Sequence, residues 1–310
     1  MKDEGVLGSL HPFLKFLLLG LVMVVSTLVV LFIGMLVALP FFGTAVFESM
    51  DPKSADINLL RYVQILSHLG LFITSSLVFA FLMDRKPFVY LQATRIPKGK
   101  SLLISAVIML VVIPMVYYFT MINQMLTLPE SLQGIENWMR RAEDSAQEMT
   151  RLLLDVSTVQ GWLFNIFMIA VIPAIGEEFI FRGALQRIFR QWTGSMHVAV
   201  IVAAILFSAM HMQFYGFLPR LLLGLVLGYM MVYTGNIWVP VFAHFFNNAL
   251  AVTVFFFAGG ADSGLDMDSL PEIPYAYIPA ILSAILALFL FRLLARREGE
   301  NERRREGARG

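Results

Sequence analysis

The sequence predicts an all-α fold, a polytopic bundle of about eight transmembrane helices. Three observations predict it. Of 310 residues, 58% are hydrophobic and only 15% charged, where a soluble domain carries about 25% charged residues. Apolar runs of the roughly 20 residues a helix needs to cross a bilayer recur from Phe16 to Arg292. The charges that remain collect between those runs, basic and acidic connectors alternating.

Taken in order, the spans are expected at 16–43, 59–83, 101–122, 159–181, 197–214, 217–233, 237–258 and 274–295. The first run, from Phe16 to Phe42, is too long for a signal-peptide core and is read as a retained span. The fifth and sixth are short and joined through Gly216 and Pro219. Within the sixth, Gly224 and Gly228 form a G-x-x-x-G that permits close helix packing inside the bundle. Between spans three and four, Leu132, Ile135, Met139, Ala142, Ala146, Met149 and Leu153 alternate at spacings of three and four among charges. They predict an amphipathic helix over 130–156, lying in the interface or packed on the bundle.

Four segments follow: N-terminal spans with the amphipathic helix (1–158), a core of spans (159–258), a last span (259–296), and a charged, disordered tail (297–310). Lys2, Lys15, Arg85, Lys86, Arg95, Lys98, Lys100, Arg182, Arg187, Arg190 and the arginines of the tail fall on one side of an eight-span chain. Glu130, Glu136, Glu143, Asp144, Glu148, Asp155, Asp262, Asp266, Asp268 and Glu272 fall on the other. The excess of Lys and Arg in the first set places both termini in the cytoplasm. A net charge of +1 gives no case for nucleic acid. The absence of cysteine excludes disulfides, thiolate metal sites and a cysteine nucleophile.

Ionisable side chains within a span are expensive and mark cavities with a function. The fourth span carries Glu177, Glu178 and Arg182, the fifth His211, the seventh His244 with Asn247 and Asn248. Glu178 and Arg182, four apart, suit an intrahelical ion pair that supports the helix rather than the chemistry. Glu177 points about 100° away from Glu178. Phe207 with His211, and His244 with Asn248, each share a helix face. A carboxylate and a histidine from different helices can hold a water, and a His–Asn pair can offer two donors to a developing anion. At 1.5 Å per residue, Glu177 lies about 15 Å from Arg187, and His244 and Asn248 about 10 and 16 Å from Ile237. His211 lies about 20 Å from His197, level with the others only if the fifth span begins later. One polar cavity opening toward the basic side is expected. His68 and Gln64 in the second span show no partner pattern.

The series Glu177-Glu178-x-x-x-Arg182, Phe207-x-x-x-His211 and His244-x-x-x-Asn248 resembles the three motifs of the CAAX-protease and bacteriocin-processing family. That family includes the type II CAAX prenyl endopeptidases and many bacterial relatives. The resemblance covers roughly 159–255. It implies an eight-helix bundle in a bacterial inner membrane that hydrolyses a peptide bond of a membrane-associated or lipidated protein. Carried over, Glu177 and His211 activate water, while His244 and Asn248 stabilise the oxyanion. The resemblance allows a metal-free mechanism or a zinc-dependent one, in which Glu177, His211 and His244 would be the ligands. The implied partners are membrane lipid and a peptide or protein substrate. A non-catalytic immunity or scaffold protein using the same cavity is the competing class, and a proton-coupled transporter a third, disfavoured by the lack of an inverted repeat.

Overall fold

The computed structural model describes residues 5–43, 56–259 and 273–307, and side chains as far as Arg296. The acidic connector carrying Asp262, Asp266, Asp268 and Glu272 lies outside the described residues. The described residues contain no strand. Seven helices are long and apolar enough to cross a bilayer: α1 (Pro12–Phe42), α2 (Ile57–Met83), α3 (Gly99–Gln124), α5 (Val159–Thr193), α7 (counted with its preceding turn as Phe214–Thr234), α8 (Trp238–Phe257) and α9, apolar over Tyr277–Arg296. The amphipathic helix α4 (Gln133–Leu154) separates α3 from α5. A shorter apolar helix, α6 (Met196–Met210), holds the place of the fifth expected span. The chain is thus a polytopic integral membrane bundle.

Polar caps close several helix ends, where backbone groups leave the hydrogen-bonded ladder. Asp56 accepts from the amide of Asn58 at the start of α2, and Thr158 from Gly161 at the start of α5. Gly194 and Gly235 take left-handed conformations (φ 69° and 55°) that end α5 and α7. The α9 backbone continues helically to Gly307, through the charged segment expected to be disordered.

Two boundaries differ from expectation, and both bear on the site. Helix α5 does not stop near residue 181 but runs to Thr193. Its last turns are amphipathic, with Ile188 and Phe189 buried and Trp192 stacked on Phe189. Helix α6 ends at Met210 because Met212 adopts a positive φ of 52°. From Thr193 to Glu177 is about 24 Å of helix, and from Met196 to His211 about 22 Å. The depth mismatch anticipated for His211 therefore disappears: α6 starts where expected, and α5 is longer.

Among the described residues, two of the apolar clusters flank the site. One joins Leu19, Phe79, Ile180, Ile188 and Val241; the other joins Ile108, Met109, Leu227, Met230, Ala243 and Leu294. Helix α8 contributes Val241 to the first and Ala243 to the second, so His244 stands at their seam. Close approach depends on glycines. A Cβ at Gly176 would meet Phe72 Cβ at 2.7 Å, so the glycine lets α5 press against α2. Cβ atoms at Gly224 and Gly228 would meet Ala204 Cβ at 3.0 Å and Val200 Cγ1 at 2.8 Å on α6. The G-x-x-x-G serves contact within the bundle.

Among the described residues, three π-helical turns interrupt the spans, at Leu69–Thr74 in α2 and at Ile166–Val171 and Phe179–Leu185 in α5. Two of them flank Glu177 and Glu178. Such wide turns recur at functional sites.

Helix α4 lies across the tip of the α6–α7 hairpin. Trp138 packs against Phe214, Glu143 accepts from the amide of Tyr215, and Arg140 stands 4.7 Å over the Tyr215 ring. Met139, Ala142, Ala146 and Met149 are half-buried and Leu153 buried, so this face packs on the bundle. Leu132 and Ile135, assigned to the same stripe, are exposed.

Candidate active site

Glu177 sits midway along α5, buried, with both carboxylate oxygens facing histidines of other helices. Oε1 is 3.8 Å from His68 Nε2 on α2, and Oε2 is 4.0 Å from His244 Nε2 on α8. Oε2 is buried without a hydrogen-bond partner. A carboxylate held between two imidazoles but bonded to neither retains its acceptor capacity for a third molecule.

His244 is oriented from behind. Its Nδ1 is 2.8 Å from Glu178 Oε1, and Arg182 NH1 donates to that same oxygen at 2.8 Å. The second guanidinium nitrogen donates to the carbonyl of Gly224 at 3.0 Å. A carboxylate on Nδ1 fixes the ring's orientation and its tautomer, with Nδ1–H donating and Nε2 turned to Glu177. The Glu178–Arg182 pair is fully buried and stands behind the cavity rather than in its wall.

His211 is presented from the C-terminal end of α6, not from mid-helix. Its Nδ1 lies 2.9 Å from the Phe207 carbonyl, so Nδ1–H donates there and Nε2 is left for the cavity. Phe207 joins the parts. Its ring packs edge-on against His211 and His244, with centroids at 5.1 and 5.9 Å, and Arg182 lies 4.9 Å over it. The Phe-x-x-x-His spacing thus has a local reason: one residue supplies both a carbonyl acceptor and a ring wall.

Glu177, His211, His244 and Asn248 line one cavity of about 160 Å³, with Asn247, Arg220 and Phe207. Asn248 Nδ2 donates one bond to the Ile169 carbonyl at 3.3 Å, which leaves its second N–H. Asn247 Nδ2 donates to Asn248 Oδ1 at 3.2 Å and so holds that amide in place. His211 and Arg220 lie at the tip end of the α6–α7 hairpin, about 22 Å along α6 from its basic end, beneath α4.

Among the described residues, no three His, Asp or Glu side chains are placed to hold a metal ion. Glu177, His211 and His244 line the cavity without forming a ligand set, so no step below is routed through zinc.

Two residues escaped the reading of the sequence. His68 is brought to Glu177 by the α2–α5 contact at Gly176; its only sequence signal was Gln64 four residues earlier, whose Nε2 lies 3.3 Å from His68 Nδ1. Arg220 opens α7, with NH1 donating to the Gln213 carbonyl at 3.2 Å. A cation in the first turn of a span was the available signal.

Residues 159–250 match the family model described as "Type II CAAX prenyl endopeptidase Rce1-like". The chain is also 31% identical over 90 residues to a protein of Bacillus subtilis (strain 168) described as "Uncharacterized protein YpbD". That alignment takes in 28% of this chain and 43% of YpbD, so the chain spans less than half the length of this curated relative. No solved structure matches.

Proposed function

We propose that this chain, which matches the Rce1-like type II CAAX prenyl endopeptidase model across residues 159–250, is an intramembrane endopeptidase of the glutamate/histidine type. The observation that carries the proposal is the Glu177 carboxylate, buried in a polar cavity between histidines of two other helices. The substrate is a peptide bond of a membrane-associated polypeptide, a lipidated one included, and both chain termini face the cytoplasm.

In this reading a water enters between Glu177 and His211. Glu177 takes one proton as the water oxygen attacks the scissile carbonyl, and His211 Nε2 accepts a hydrogen bond from the second. The tetrahedral oxyanion receives a hydrogen bond from Asn248 Nδ2, held by Ile169 and Asn247, and one from His244 Nε2 in the imidazolium form, whose Nδ1–H stays on Glu178. The proton on Glu177 then passes to the leaving amine as the C–N bond breaks, which returns the carboxylate to its starting state. Glu178 and Arg182 orient His244 and take no proton.

The test compares membranes of cells carrying the wild-type protein and Glu177→Gln, reading polypeptide termini by mass spectrometry. A terminus produced only with Glu177 supports the proposal; identical termini, with both proteins at equal abundance, overturn it in favour of a binding role. With a cleavable reporter, Asn248→Ala should lower kcat roughly a hundredfold with little change in KM, as loss of one oxyanion donor does.

A further inference from the structure

A second polar cavity, of about 440 Å³, lies at the other end of α5. Three arginines, Arg182, Arg187 and Arg190, and three glutamines, Gln92, Gln186 and Gln191, line it. No acidic side chain is among the described lining residues. Arg182 at its deep end is already matched by Glu178, so the uncompensated charge belongs to Arg187 and Arg190. Lys15 of α1 donates to Gln191 Oε1 at 3.2 Å and so helps to fix that wall.

The site is built rather than incidental. Arg187 is held in place: NH1 donates to the Tyr90 carbonyl at 2.8 Å and its guanidinium lies 4.2 Å over the Tyr90 ring. Burial pushes the Tyr90 phenol up to about 12, so the phenol stays neutral and does not cancel that charge. Gln186, buried, donates to the Gly228 carbonyl at 3.3 Å, while its Oε1 is buried with no hydrogen-bond partner. Guanidinium forks with amide donors and acceptors form the donor set that a tetrahedral phosphate oxyanion and its neighbouring hydroxyl groups require.

Its position selects the source of the phosphate. The walls are helix ends: the last turns of α5, the first residue of α6, the last turn of α7 and the connector between α2 and α3. All lie on the face where the Lys and Arg connectors gather. Trp192 beside the cavity is exposed and stacks on Phe189, an aromatic at interfacial depth. A basic pocket between helices at that depth faces anionic headgroups. We infer that this cavity is a binding site for the phosphate of an anionic membrane lipid, with Arg187 and Arg190 as its principal cations. The inference does not depend on the chain being a protease.

The experiment uses the full chain reconstituted in phosphatidylcholine vesicles, with and without phosphatidylglycerol, and with inorganic phosphate added to the first. Thermal unfolding and retained lipid by native mass spectrometry are the readouts. Phosphatidylglycerol should raise the unfolding midpoint and co-purify. Arg190→Gln, at an exposed position, and Arg187→Gln should each weaken apparent affinity about tenfold, the size of one charge-assisted hydrogen bond. Arg85→Gln with Lys98→Gln, exposed on the same face and outside the cavity lining, should leave it within about twofold, because solvent and salt screen exposed charges that make no direct contact. Inorganic phosphate reproducing the whole gain would assign free phosphate to the same site. The inference falls if neither phosphate source shifts the midpoint, if the control pair loses as much as the cavity arginines, or if a peptide carboxylate displaces the lipid and binds more tightly.

Discussion

Replacing Arg182 by Met should unfold the protein more readily than replacing both members of its ion pair. Arg182 makes three contacts that Met cannot: the 2.8 Å bond to Glu178, the 3.0 Å bond to the Gly224 carbonyl, and the stack on Phe207. Its removal leaves Glu178, fully buried, with His244 Nδ1 as its remaining donor and with Oε2 still unpartnered. Stripping one partner from a buried pair costs about 3–5 kcal/mol, because the other charge stays desolvated. That is a large fraction of a typical stability of about 5–15 kcal/mol. Adding Glu178→Gln removes the stranded charge while keeping an acceptor for His244. The double variant should therefore recover about 2 kcal/mol or more relative to Arg182→Met alone, a coupling in the range seen for contacting residues. Equilibrium unfolding in mixed micelles, followed by circular dichroism, measures all four corners of the cycle. If Arg182→Met is as stable as wild type, or if the double variant is less stable than the single one, the reasoning from a stranded carboxylate is wrong. If it is as stable and turnover nonetheless vanishes, Arg182 acts in the chemistry itself.

His68→Ala should lower kcat with little change in abundance, because His68 is only partly buried and approaches Glu177 to 3.8 Å; His68→Gln, which keeps a donor, should restore part of it, and an unaltered pH–rate profile in both would remove His68 from the site. Glu136 is held below the usual carboxylate range, chiefly by its hydrogen bond from Arg140 and then by that from the Leu128 amide. A depressed carboxylate stabilises above its unfolded value and loses that contribution as pH falls through the folded one. Amide exchange across 133–154 should thus quicken as the pH drops below the ordinary Glu range, and Glu136→Gln should abolish that step; exchange independent of pH after correction for intrinsic rates would contradict the clamp. A cysteine at Ser131 should react with an impermeant reagent from outside intact cells, and reaction only after rupture would reverse the orientation.

Most spans were legible because hydropathy alone decides them, from α1 through α9. What was hidden had a physical cause in each case. The end of α5 carries Arg187 and Arg190, which read as a connector; Arg187 is half-buried against Tyr90, 97 positions away in the sequence. His211 was expected inside a span, yet a single positive φ at Met212 makes it a helix terminus. The motif residues Glu177, His211, His244 and Asn248 could be singled out because charge in an apolar run is conspicuous and their spacing repeats a family pattern. His68 is equally conspicuous, but its partner lies 109 positions away and nothing along the chain announces the contact made possible at Gly176.

The wide turn at Phe179–Leu185 also makes α5 tolerant of one kind of change and sensitive to another. A π-turn holds one residue more than the α-turn it replaces. Deleting a single residue there could close the turn to an α-turn and leave the facing of everything beyond nearly unchanged. Inserting one would carry everything beyond round by about 100°. Glu177 and Glu178, upstream, would keep their facing toward α2 and α8 either way. After an insertion Gln186 and Arg187, downstream, would swing off the Gly228 carbonyl and the Tyr90 ring. One added codon would thereby uncouple the two ends of the helix, and one lost codon would not. Natural length variants at this turn, if they occur, would separate chains that keep the buried carboxylate from chains that also keep the basic pocket.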